Sequence, residues 1–134
     1  MLYFRFGLAL CALAVIFGAF GAHALEKILS PDQLDSYLTG VRYQLIHGIV
    51  IFMLTLIFKG EKRINLPIKL MSLGVILFSC SIYLLLLFKY LSLSGIMILG
   101  PITPIGGGLI ISSWLLLLFR SKALFKSVWK KRKV

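Results

Sequence analysis

The stretch Thr39-Gly40-Val41-Arg42-Tyr43-Gln44-Leu45-Ile46-His47-Gly48 opens an apolar run that continues to Phe58. Segments that cross a bilayer ordinarily exclude side chains that ionise or hydrogen-bond, so their gathering here marks where the chain departs from plain hydrophobic filler. Further apolar runs cover residues 6–22, 66–88 and 105–119. A hydrocarbon core of about 30 Å takes about 20 helical residues to cross. The pattern predicts an all-α membrane protein, a four transmembrane helix bundle forming a single integral membrane domain over residues 1–134. Its spans are expected at about 5–23, 42–59, 66–89 and 104–120, followed by a basic tail, 121–134. In that tail Leu118, Phe125, Val128 and Trp129 interleave with Arg120, Lys122, Lys126 and Lys130, which reads as a helix continuing into the interface while its basic side chains snorkel.

Composition agrees with a bilayer. The chain is 60% hydrophobic, and its mean hydropathy of +1.00 leaves too little polar surface to cover a water-soluble globule. Four acids, Glu26, Asp32, Asp35 and Glu61, face 15 Lys and Arg, for a net charge of +11. The bases sit between and beyond apolar runs, so the expected partners are the lipid bilayer and, for the C-terminal basic tail, anionic lipid headgroups. Nucleic acid is not expected. Cys11 and Cys80 fit no disulfide framework or metal spacing and read as packing thiols.

The connections are uneven. Residues 25–42 hold three of the acids and a helix-start signal, Ser30-Pro31, with Ser as the cap and Pro at the first helical position; they read as a wet loop containing a helical turn. Residues 59–65 form a short basic turn. The segment from Tyr90 to Pro104 has almost no polar residue but carries Gly95, Gly100 and Pro101, which suits either a re-entrant cap buried in protein or an interfacial loop. With both termini cytoplasmic, Arg5, Lys59, Lys62, Arg63, Lys69 and every base after Phe119 lie inside, against Lys27, Arg42 and Lys89 outside. A competing reading takes residues 1–24 as a signal peptide ending in Ala22-His23-Ala24. Against it stands a stripe of small residues, Gly7, Cys11, Ala14, Gly18 and Ala22, which lets a neighbouring helix approach closely.

On these spans His23 ends the first helix and His47 lies about one turn into the second, so the two could face each other near the outer surface. With Arg42, Tyr43, Gln44 and Thr103 they form a candidate polar cluster. Its functional readings are a grip on a small solute, a proton relay, or ligation of a metal or haem. Its structural reading is interhelical hydrogen bonding, and that is the ordinary one. No His/Glu spacing supports a metal site, so neither a metal nor another cofactor is expected, and the lack of any nucleophile beside a histidine argues against an enzyme. Ser79, Ser81 and Tyr83 alternate along one helix and so cannot all face one neighbour; Ser112 and Ser113 are expected to bond back to their own helix. In Thr103-Pro104-Ile105-Gly106-Gly107-Gly108, Thr103 can cap a helix and the three glycines can either bare backbone amides to an anion or pack closely. Packing is the simpler role, so Gly106, Gly107 and Gly108 join Gly7, Ala14, Gly18 and Ala22 as expected helix-packing residues.

Four motifs in order, Gly18-Ala19-Phe20-Gly21-Ala22-His23-Ala24-Leu25, Thr39 with Tyr43-Gln44 and His47, Phe78-Ser79 with Ser81 and Tyr83, and Ile102-Thr103-Pro104-Ile105-Gly106-Gly107 with Trp114, resemble the YgdD-like family of small inner-membrane proteins, a family of unknown function. The resemblance covers about residues 7–119 and implies a bacterial inner-membrane protein of four helices. Cys80 and Ser113 stand where glycine is the family's usual residue. The functional expectation is a non-enzymatic accessory or stabilising component of a membrane complex. The alternatives are a small oligomeric transporter or channel using the polar cluster, and metal or haem binding by the two histidines. The protein partner is accordingly another membrane protein or a homo-oligomer.

Overall fold

The computed structural model describes residues 1–92 and 99–132, with the side chains of 130–132 left aside. Four long helices account for most of them: α1 (Leu2–His23), α2 (Pro31–Ile57), α3 (Asn65–Tyr90) and α4 (Ile102–Arg132). All four are long and apolar enough to cross a membrane, and no strand occurs among the described residues. Of the connection from Tyr90 to Pro104, expected to be re-entrant or interfacial, the central residues 93–98 lie outside them.

Helix α2 differs most from expectation. It begins at Pro31 rather than Arg42, and the reason is local: Ser30 Oγ accepts from the Gln33 N–H at 3.4 Å while the Ser30 N–H donates to Gln33 Oε1 at 2.9 Å, a reciprocal capping box with Pro at the first turn. Nothing between Pro31 and Ile57 breaks what this cap starts. Hydropathy marks only the greasy part of such a helix, whereas its cap marks the true end. At its other end, Gly60 takes φ 78° in a turn closed by Glu61 N–H to Phe58 O at 2.9 Å, the position that a type II turn assigns to glycine.

The helices form two tight antiparallel hairpins, α1 with α2 and α3 with α4, joined where α2 meets α3. Backbone approaches backbone in each hairpin. A β-carbon built on Gly7 would lie 2.7 Å from Gly48 O, and one on Gly106 would lie 2.5 Å from Phe78 N. The same test separates the expected packing residues. Gly7, Ala14 and Gly106 are buried, and Gly107 and Gly18 make only ordinary contacts, with Phe78 and Val41. Ala22 and Gly108 are exposed, and a β-carbon on Gly108 meets nothing. Helix α1 turns Gly21, not Ala22, toward Tyr37 and Leu38, and α4 turns Gly106, Ile110 and Ser113 inward, leaving Gly108 on the far side.

The apolar interior gathers Leu10, Ile51, Ile68, Met71, Val75 and Ile110. Leu8, Ile16, Phe20, Ile49, Leu73, Ile111 and Leu118 instead point outward, as expected when lipid is the solvent. The basic segment after residue 120 continues the helix through Arg132, as its interleaved apolar residues predict. Leu124 is buried, the Phe125 and Phe58 ring centroids are 6.5 Å apart, Ser127 Oγ donates to Glu61 Oε2 at 2.6 Å, and Arg120 donates to Arg63 O at 2.6 Å.

Candidate functional site

Helix α2 carries the polar interior. Gln44 is 4% exposed; its Nε2 donates to Leu10 O at 3.0 Å and its Oε1 accepts from Tyr83 OH at 3.0 Å. A backbone carbonyl can only accept, which fixes the amide's orientation. One side chain thus ties α1, α2 and α3 together. Nearer the start of α2 Ser79 Oγ donates to Gly40 O at 2.9 Å, and Tyr37 OH donates to Phe17 O at 2.8 Å. Between α3 and α4, Ser113 Oγ donates to Pro67 O at 2.7 Å and Ser81 Oγ shares a hydrogen bond with Thr103 Oγ1 at 2.7 Å. Interhelical bonds of this kind contribute about 0.6–2 kcal/mol each within a membrane. Ser79 and Tyr83 turn to α2 while Ser81 turns to α4, as their alternation requires. Ser112 bonds back to Gly108 O at 2.8 Å, but Ser113 crosses to α3 instead. Thr103 is engaged with Ser81 rather than capping α4.

His47 lies 5% exposed beside this network. Trp114 Nε1–H donates to its Nε2 at 3.3 Å, and its Nδ1 sits 2.8 Å from Tyr43 O. An indole N–H is only a donor, so Nε2 must be the unprotonated nitrogen, and the proton of the neutral ring belongs on Nδ1, where it donates to the Tyr43 carbonyl. The Tyr43 ring stacks on Phe78 with centroids 4.4 Å apart and on His47 at 5.5 Å. Trp114→Phe is expected to release this tautomer: nitrogen NMR of histidine-labelled protein in micelles should show His47 protonated at Nδ1 in the wild type and a mixture in the variant. An unchanged spectrum would contradict the assignment.

The six candidate residues do not form one cluster. Gln44 and His47 are buried near the middle of α2, Thr103 is bonded to α3, and His23 is exposed in the last turn of α1. His23 and His47 do not meet. The antiparallel register sets Gly48 against Gly7 and Leu38 against Gly21, so the histidines lie toward opposite ends of α1. The early start of α2 moves His47 from the helix mouth to its interior. Among the described residues no three His, Cys, Asp or Glu side chains converge as metal ligands would.

Arg42 is displaced more consequentially. Ser79, on α3 about halfway between Lys69 and Lys89, bonds Gly40, and Phe78 stacks on Tyr43, so Arg42 stands level with the middle of α3. It therefore belongs to neither side in the balance of basic loops. Its side chain faces away from the bundle with Ile46, Ile49 and Met53, and its Nη2 lies 3.6 Å from Asp35 Oδ1, about two turns nearer the start of α2. The two side chains are 61% and 73% exposed. Beside them a groove of about 370 Å³ is lined by Asp35, Ser36, Thr39, Ile82, Leu86 and Thr103.

The family model described as "Protein of unknown function (DUF423)" matches residues 17–107, a segment that includes all of α2 and α3. The chain belongs to the DUF423 family. A UPF0382 membrane protein of Staphylococcus haemolyticus is 42% identical to this DUF423 chain over 113 residues, covering 82% of it and 87% of the relative. The UPF0382 membrane protein YwdK of Bacillus subtilis is 38% identical over 108 residues, with 78% and 83% covered. One from Staphylococcus epidermidis is 40% identical over 107 residues, with 78% and 82% covered. No solved structure matches the chain. An uncharacterised family of small membrane proteins is what the motifs imply, although the names matched are DUF423 and UPF0382, not YgdD. Several contributors were not among the six candidates: Asp35, the partner of Arg42, the interhelical hydroxyls of Tyr37, Ser79, Ser81 and Ser113, and above all Tyr83, the partner of Gln44, and Trp114, the partner of His47. Tyr83 and Trp114 stood in the family motifs, but neither pairing can be seen without the helix register.

Proposed function

We propose that this DUF423 protein is a non-enzymatic component of a membrane assembly, resident in the bacterial inner membrane with both termini cytoplasmic, that receives another transmembrane protein on the outward face of α2. The exposed Asp35 and Arg42 pair carries the reading. Arg42 is rooted at mid-span, where charged side chains are costly against acyl chains and ordinarily face protein or water, and its guanidinium reaches toward Asp35 two turns away. A second copy is the poorer occupant. Related by a two-fold axis along the membrane normal, two α2 faces would oppose Arg42 to Arg42 at one depth, setting like charges together. A different polypeptide with a hydrogen-bond acceptor at that level suits the guanidinium better, and the adjoining groove offers room for its side chains.

The buried network supports the same reading. Gln44 is bonded at both ends and His47 at both nitrogens, so gripping a solute there would break fastenings between helices. Transport draws its support from the outer groove alone. The test places a photoreactive phenylalanine analogue at Ile46, beside Arg42, or at Val15 on the outward face of α1, in protein expressed at native level. The expected product is a cross-link to one distinct membrane protein from position 46 only, weakened several-fold by Arg42→Leu. Self-cross-links alone, or equal products from both positions, would overturn the proposal.

A further inference from the structure

A second groove, of about 320 Å³, opens at the basic end of the bundle between α1 and α3, lined by Leu2, Tyr3 and Phe6 from one helix and Lys69, Ser72, Leu73 and Ile76 from the other. Ser72 is singular. Its residue is 8% exposed, and its Oγ is the one buried side-chain oxygen or nitrogen without a hydrogen-bond partner among the described residues. Thr55 and Ser112 bond back to their own helices at 2.8 Å, and Ser79, Ser81 and Ser113 reach neighbouring ones. A hydroxyl left unpaired in an apolar setting is unfavourable by about 1–3 kcal/mol, which an acceptor arriving from outside would relieve.

Lys69, Ser72, Leu73 and Ile76 follow helical spacing, so they form one stripe running inward from the membrane surface. Their chemistry descends in the same order as a phospholipid's: a cation at headgroup level, a hydroxyl donor about one turn deeper, then aliphatic surface. We infer that this groove binds one anionic phospholipid, its phosphate against the Lys69 ammonium, an ester carbonyl accepting from Ser72 Oγ once that buried, unpartnered hydroxyl rotates toward the groove, and an acyl chain lying over Leu73 and Ile76 against Phe6. Tyr3 stands on the opposite wall near the surface, where amphipathic aromatic rings suit the interface. This site is separate from the general attraction of the C-terminal bases for anionic lipid and from the α2 face.

Native mass spectrometry of the full chain, released from detergent supplemented with defined lipids, tests the assignment. Phosphatidylglycerol should be retained about fivefold better than phosphatidylcholine, the factor expected for one lysine near the surface. Lys69→Gln should erase that preference, whereas Lys62→Gln, a charge change outside the groove, should not. Ser72→Ala should weaken retention of the ester lipid several-fold yet leave an ether-linked phosphatidylglycerol, which lacks the carbonyl, unchanged. Ile76→Trp should fill the groove and displace both. Equal effects of Lys69→Gln and Lys62→Gln, or equal loss of ester and ether lipid in Ser72→Ala, would overturn the site. Circular dichroism of each variant separates lost binding from lost fold, and since Ser72 makes no bond its alanine variant should melt no lower than the wild type.

Discussion

Gly106→Ala is expected to disrupt the α3 and α4 hairpin, although it adds one methyl group. That group would sit 2.5 Å from Phe78 N and 2.9 Å from both Gly74 O and Phe78 Cα, all of them backbone atoms that no rotamer change can remove. The helices must separate, and the loss of packing along their shared face should come to about 1–3 kcal/mol or more. Gly7→Ala meets the same obstacle in the other hairpin, at 2.7 Å from Gly48 O and 2.8 Å from Phe52 N. The neighbouring glycines provide the contrast. At Gly107 the added carbon meets the Phe78 ring at 3.8 Å, an ordinary contact, and at Gly108 it meets nothing. Since alanine is favoured over glycine in a helix by about 1 kcal/mol, Gly108→Ala should hold or raise the melting temperature in detergent while Gly106→Ala lowers it sharply. Equal melting of the two would show that the α3 and α4 backbones are not in contact.

This contrast also shows how far the sequence could be read. Apolar runs located all four helices, because crossing lipid demands length and greasiness that are visible residue by residue. What escaped depends on helix phase and register. Three successive glycines look alike in a string, yet only one faces α3 closely. His47 looked like a residue at a helix mouth because hydropathy begins near Tyr43, although the capping box at Ser30 and Gln33 already told where α2 starts. Moving that start inverted the meaning of two positions: His47 became an interior residue, and Arg42 became a charge on the exposed face in the middle of the span. The pairings of Gln44 with Tyr83 and His47 with Trp114 join residues far apart in the chain, and no local pattern announces them. The orphan hydroxyl of Ser72 is likewise invisible until every other hydroxyl has been given its partner.

Gln44→Leu should be the most damaging substitution of a polar side chain in the interior. The shape change is small, but two bonds to two different helices disappear together, and Tyr83 OH loses the acceptor that justifies its place inside the bundle. Leu10 O retains the option of its own helix's ladder, so the larger penalty falls on Tyr83. A loss of about 2 kcal/mol is expected, drawn from roughly 0.6–2 kcal/mol per interhelical bond. Tyr83→Phe alone should be milder, since it removes the donor along with the need for an acceptor and leaves the bond from Gln44 to Leu10 intact. The double variant decides the matter. If the two side chains are bonded, Gln44→Leu combined with Tyr83→Phe should melt higher than the sum of the single losses predicts, because removing the hydroxyl also removes the orphan that Gln44→Leu creates. Strict additivity in detergent unfolding would mean that Gln44 and Tyr83 act independently. The tie between the α1 and α2 hairpin and α3 would then rest on Ser79 and the ring packing of Tyr43 on Phe78.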